Sequence, residues 1–201
     1  MPSDLDLASL LASRLCHDVV GPVGAIQNGL ELMAEDQSMT AMAIDLIRKS
    51  AEQATAKLQY ARMAYGSAGG AEALDPGEAG RLTAGMFVGE RARLDWTWDG
   101  PAAPRVPVKL AMLMATFALG AVPRGGTVKV AHAGETVAVV ASGEGQPLRS
   151  PPFLDVVSEG GEASDPRAVP ALCIHRLAAS LGWRVEATAD AAALTLRSVP
   201  A

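Results

Sequence analysis

Cysteine is nearly missing from this sequence, and so are aromatic side chains, basic runs and long apolar stretches. The two cysteines, Cys16 and Cys173, lie far apart, with no CxxC pair and no His-Cys cluster. That rules against a disulfide scaffold and leaves reduced thiols in a cytoplasmic protein as the simplest expectation. No H-x-x-x-H or other ligand spacing occurs, so no metal site is expected. Aromatics make up 4% of the 201 residues, and alanine and leucine dominate, which favours helices. The formal net charge is −5 and the pI about 5.2, giving no general pull toward nucleic acid or an anionic membrane. No segment holds about 20 unbroken apolar residues, so no membrane span is expected. The opening "MPSDLDLASLLASRL" carries acids and no basic n-region, unlike a signal peptide.

What is present divides into two halves. Residues 4 to 66 have the pattern of two long helices. Ser3 is placed to cap the first, with Asp6 three residues on. Apolar residues then recur in steps of three and four, from Leu7, Leu11, Leu15 and Val19 to Val23, Ile26, Leu30 and Met33. "AEDQS" is a short turn, and a second series runs from Ala43 and Ile44 through Leu58 to Tyr65. Each helix would be about 40 Å long, and the short connection implies an antiparallel hairpin. Two helices alone bury too little, so a homodimeric four-helix bundle is expected, built from residues 1–66.

Residues 67–76 have linker composition, and residues 77–201 change character. A helix is expected over 77–90, a strand at "RLDWTWD", and an apolar helix at "PVKLAMLMATFALGAV". A hairpin follows at "GGTVKVAHAGETVAVVAS", then a helix closed by Gly182 and a second hairpin to the end. Helices interleaved with antiparallel strands suggest an α+β sandwich of three or four strands under two or three helices.

The first helix carries His17 in a stretch where glycine and proline weaken a helix interior. With about 100° per residue, Leu15, Val19, Ile26 and Leu30 lie on the side away from His17. Gly21, Gly24 and Asn28 lie within about 40° of it on the same wheel. The histidine therefore stands on a face of small residues that another surface could approach. Pro22 cannot donate to the carbonyl of Asp18, and a local bend is expected there. An imidazole open to a partner can act as a nucleophile through its neutral nitrogen. Asp18 could bond one ring nitrogen and free the other. An exposed helical histidine can equally be a plain solvated residue, and the glycines can serve close helix packing. Spacing alone leaves both readings open.

The order His17-Asp18-x-x-x-Pro22 on the first helix of a hairpin resembles the H-box of histidine kinases. More closely, "SRLCHDVVGPVGAIQNGLELM" resembles the histidine phosphotransferases of the ChpT family of alphaproteobacteria, and "VPRGGTVKV" after an apolar helix also fits. The second half then resembles the ATP-binding domain of histidine kinases with its nucleotide apparatus gone. Where the N-box would place asparagines for Mg²⁺, the chain has "LAMLMATFALGAV". The adenine-binding Asp-x-Gly-x-Gly box is replaced by "ASGEGQP", and the last glycine-rich box by "RAVPALCIHRLAAS". A nucleotide site needs close backbone approach and Mg²⁺ ligands, so no ATP binding is expected.

The resemblance implies a dimeric phosphorelay enzyme without autokinase activity. His17 would be the phosphoacceptor and Asp18 would orient its ring. Arg14, Gly21, Gly24 and Asn28 would meet the partner. The donor would be the receiver domain of a CckA-like hybrid histidine kinase, and the acceptors CtrA-like and CpdR-like response regulators, tying the protein to cell-cycle control. The chain would bind no cofactor itself, Mg²⁺ coming with the receiver. The alternative is a non-catalytic dimeric adaptor or inhibitor of a kinase or receiver, with His17 incidental.

Overall fold

A computed structural model describes residues 2–66 and 72–201. Helix α1 (Asp4–Glu35) opens on a complete capping box. The Ser3 hydroxyl accepts from the Asp6 amide at 3.2 Å, and the Asp6 carboxylate accepts from the Ser3 amide at 3.1 Å. The Ser3 hydroxyl also donates to Asp6 Oδ2 at 2.6 Å, and that bond, with the lesser one from the Ser3 amide, holds the Asp6 carboxyl below its usual pKa. A single 3-10 turn at Gln37–Met39, capped by Asp36 on the Ser38 amide, leads into α2 (Thr40–Ala64). The "AEDQS" turn lies where the sequence puts it.

The hairpin seam is not the one that the leucine spacing suggests. Pro22 and Gly29 are the buried residues of α1; Gly29 lies against Ala43 and Ile47 of α2, whose own buried residues include Ala43, Ser50 and Ala54. Small side chains let the two helices come close, so the larger apolar residues turn outward. Leu30 and Val23 are 56% and 50% exposed, and Leu58 of α2 is 52% exposed. The stripe expected at the seam thus splits, part lying between the helices and part on the outer surface of the hairpin.

Residues 67–71, half of the expected linker, lie outside the described residues. The rest of it is structured: β1 (Ala73–Leu74) pairs antiparallel with β3 (Ala103–Pro104), and Pro76 already begins α3 (Pro76–Gly85). Asp75 caps that helix through the amides of Gly77 and Glu78. The helix stops short of residue 90, closing in tight turns from Met86 to Thr83 and Phe87 to Ala84.

The main sheet has five strands, against the three or four of the expected sandwich, in the order β2-β4-β5-β7-β6. They are β2 (Ala92–Trp96), β4 (Gly126–Ala133), β5 (Thr136–Ser142), β6 (Trp183–Ala189) and β7 (Ala193–Pro200). The expected strand at "RLDWTWD" is β2, and it joins β4 in parallel, while the other pairs of this sheet are antiparallel. A parallel pair needs a long crossover, and α4 (Arg105–Leu119) supplies it. Four helices accompany the sheet instead of two or three: α3, α4, α5 (Leu154–Glu159) and α6 (Val169–Ser180). Period-two alternation points Val128, Val130, Val139 and Leu196 inward, where Leu110, Leu113, Leu172 and Ile174 of α4 and α6 complete the core.

Polar contacts among those that bind the hairpin to this second unit come from Tyr60, Lys109 and Arg176. The buried Tyr60 hydroxyl of α2 meets Thr116 Oγ1 at 2.7 Å and the Met112 carbonyl at 3.2 Å. Lys109 of α4 donates to the Gly66 carbonyl, and Arg176 of α6 pairs with Asp4 at 2.7 Å. Arg14, Leu15, Asp18 and Val19 line one small cavity with Tyr60, Thr116 and Pro170, so the middle of α1 lies beside the sheet unit.

Candidate functional site

His17 sits near the midpoint of α1 with 81% of its side chain exposed. Its Nδ1 faces Asp18 Oδ1 at 3.5 Å, the outer limit of a hydrogen bond. Nε2 is left without a protein partner among the described residues. The stronger tie of Asp18 is to Arg14, whose Nε donates to Oδ2 at 2.7 Å across one helical turn. Arg14 is therefore engaged within the chain, and it lines a cavity of about 50 Å³ with Asp18, Lys57, Tyr60, Thr116 and Pro170. That cavity lies behind the histidine, where α1, α2, α4 and α6 converge.

Gly21 and Gly24 face open space: a β-carbon at either position would meet no atom within 4 Å. Asn28 is exposed on the same side. The face is not wholly bare, because Val20, about 60° from His17 around the wheel, is 67% exposed. On its C-terminal side the imidazole thus has one aliphatic side chain and a strip of backbone, and on its N-terminal side the exposed Ser13.

One residue of this region carries no sequence motif. Pro22 has no amide hydrogen, so the Asp18 carbonyl lacks its helical donor. Lys57 of α2 supplies one, its Nζ lying 2.9 Å from that oxygen. The only signal in the sequence is indirect: a proline inside a helix leaves a carbonyl four residues back that needs a donor from elsewhere.

The other histidines lie in the second unit. His132 of β4 stacks on Trp98, with ring centroids 3.9 Å apart and planes 6° from parallel. Partial burial lowers its pKa. His175 of α6 packs against Gly160, where a β-carbon would come within 2.7 Å of its Nε2. Both have structural neighbours that account for them. Cys16, next to His17, is exposed, whereas burial pushes the Cys173 thiol up to about 11.

The stretches aligned with nucleotide motifs are otherwise occupied. Helix α4 buries nearly all its faces in the core, and Lys109, its one buried charge, is spent on Gly66. Glu144, in the loop after β5, forms an exposed ion pair with Arg93 of β2. Before α6, Arg167 is held by Asp165 through Nε at 2.9 Å and Nη2 at 2.6 Å. Among the described residues no group of three or more His, Cys, Asp or Glu is placed to hold a metal ion. Among the same residues no helix is long and apolar enough to cross a membrane.

Comparison with known proteins gives concordant results. Residues 76–193 match the family model of the histidine phosphotransferase C-terminal domain. The protein phosphotransferase ChpT of Brucella abortus (strain 2308) is 39% identical over 197 residues, covering 94% of this chain and 93% of that protein. A bacterial phosphotransferase of known structure superposes with a TM-score of 0.84 at 33% identity, covering 99% of this chain and 98% of the other.

Proposed function

Because the chain belongs to the histidine phosphotransferase family, we propose that it moves a phosphoryl group through two-component signalling on His17. The observation that carries this reading is the imidazole itself. It is 81% exposed, on a capped helix, with one nitrogen toward Asp18 and the other free. Nε2 attacks the phosphorus of an aspartyl phosphate on a docked receiver domain. The N–P bond forms, the acyl P–O bond breaks, and the receiver's aspartate leaves as a carboxylate. The reverse step on a second receiver passes the group on. Asp18 favours the proton on Nδ1, which keeps the lone pair on Nε2.

Phosphoryl transfer of this kind relies on positioning and charge neutralisation, and Mg²⁺ comes with the receiver. The donor is the receiver domain of a hybrid histidine kinase of the CckA-like kind, and the acceptors are CtrA-like and CpdR-like response regulators. The docking face comprises Gly21, Gly24 and Asn28 around His17, with Arg14 behind it. The outward leucines of both helices support a homodimer in which two hairpins make a four-helix bundle. The second unit serves as a docking surface, not as a nucleotide site.

The test is to mix the protein with a receiver domain phosphorylated by acetyl phosphate. Acid-labile, alkali-stable label should appear on the wild type and not on His17→Ala. Label-free wild type that still binds the receiver would favour an adaptor instead.

A further inference from the structure

We infer that Lys57 is a positioning residue for the transfer step: it replaces the amide that Pro22 removes and so fixes the helical turn bearing His17. This rests on the phosphotransfer reading above. Every interior carbonyl of an α-helix normally accepts from the amide four residues on. At residue 18 that amide belongs to Pro22 and is absent. An orphaned carbonyl in a partly buried place destabilises its turn, so something must donate to it. The donor is Nζ of Lys57, 39 residues away on α2, at 2.9 Å. Its positive charge makes the bond stronger than the amide bond it replaces.

The choice of acceptor is informative. Lys57 approaches a residue with a carboxylate, yet it binds the backbone. The carboxylate is already held by Arg14 at 2.7 Å. The Asp18 carboxylate and carbonyl are therefore each bound by a cation, one from α1 and one from α2. The carbonyl held by Lys57 orients the peptide that follows Asp18, and Asp18 Oδ1 faces the imidazole Nδ1 at 3.5 Å, so the turn bearing His17 is held from α2. A sequence-distant lysine on the second helix thereby ties the reactive turn of the first helix to the rest of the fold. Pro22, buried in the seam, keeps the turn open to this outside donor.

The experiment is a double-mutant cycle on the full chain, using receiver domain phosphorylated with acetyl phosphate. Lys57→Met should lower the transfer rate at saturating receiver by about tenfold, with half-saturation changed less than about threefold, as expected of lost positioning rather than lost docking. Lys57→Arg should recover most of the rate. In a Pro22→Ala background, where residue 22 again has an amide, losing Lys57 should cost no more than about threefold. Nitrogen-15 spectra of His17 and the Asp18 carbonyl-carbon shift report the bond without any transfer. Both should move in Lys57→Met and return in the double variant, and they do so whether or not the melting point changes. Equal losses in the two backgrounds would mean that Lys57 acts on the receiver directly and would overturn the inference. So would full transfer by Lys57→Met in a wild type that transfers, which leaves the phosphotransfer reading intact. A wild type that takes no phosphate would overturn both.

Discussion

Gly29 of α1 lies against Ile47 of α2: a β-carbon at position 29 would come within 2.6 Å of Ile47 Cγ1 and 3.2 Å of the Ala43 carbonyl. Seven and a half ångströms down the helix, at about 1.5 Å per residue, Gly24 has no such neighbour. Glycines that look alike in the sequence therefore have separate physical reasons. One allows close helix approach, and the others leave space beside an imidazole.

Leucine at position 29 should accordingly lower the melting temperature, because overpacking of this kind costs about 1–3 kcal/mol. Leucine at position 24 or 21 should not, since removing an interior helical glycine gains up to about 1 kcal/mol. Those two variants should instead lose transfer from a phosphorylated receiver. Calorimetric melting beside a transfer assay separates the cases. Early melting of Gly24→Leu with loss of the dimer would mean that this face packs against the second protomer.

His17→Ala should abolish labelling and leave helix content and melting unchanged, because the side chain is 81% exposed and its contact with Asp18 is a long 3.5 Å. His132→Ala should behave oppositely. It removes a stacked partner of Trp98 and should lower stability by about 0.5–1.5 kcal/mol while transfer persists. Labelling followed on gels under alkaline conditions, with circular dichroism on the same samples, distinguishes them.

The hairpin was legible in the sequence because capping and periodicity act locally. Ser3 with Asp6, the Asp36 turn and the steps of three and four all concern neighbours in the chain. The exact seam was not, because Pro22 and Gly29 carry little hydrophobic signal, yet their small size sets how closely α2 approaches. The hairpins β4–β5 and β6–β7 were legible from alternation and turn residues. The parallel pairing of β2 with β4 was not, since a strand's partner across a helical crossover leaves no local mark. His17 stood out by its surroundings. Lys57 did not, because its function depends on a carbonyl 39 residues away that another residue's ring has orphaned.

The outward leucines give a test of assembly. Burying one leucine contributes about 1.5–3 kcal/mol, and Leu30 and Leu58 are more than half exposed in the single chain. Leu30→Glu with Leu58→Glu should therefore yield a monomer that keeps its helix content, since neither side chain holds the hairpin itself. Sedimentation equilibrium at micromolar concentration should show a dimer for the wild type and a monomer for the double variant. A monomeric wild type would refute the four-helix bundle.

Titration calorimetry with Mg²⁺-ATP should give no heat of binding. The α4 positions aligned with Mg²⁺ ligands lie on a helix that the core encloses, and the acid in the loop after β5 is Glu144, paired with Arg93. Micromolar affinity would mean that a nucleotide is held by residues outside these motifs.

The two thiols should differ in reactivity and in their effect on stability. Cys16 is exposed, whereas desolvation raises the Cys173 pKa from 9.0 to about 11. The thiolate is the reacting form, so iodoacetamide at pH 8 should modify Cys16 and leave Cys173 largely intact, as read by mass spectrometry of tryptic peptides. The same shift sets a sign for stability. A group whose folded pKa exceeds its unfolded value favours the folded state below the unfolded value, and that contribution is lost as pH rises. For Cys173 the loss runs from about pH 9 to about pH 11. Tyr60, whose buried hydroxyl is also raised by desolvation, adds to it in the same direction at still higher pH. Melting temperature should thus fall on going from pH 8.5 to 11, and Cys173→Ala should flatten the first part of that fall. Equal alkylation of both cysteines at pH 8 would show that the α6 face carrying Cys173 opens to solvent.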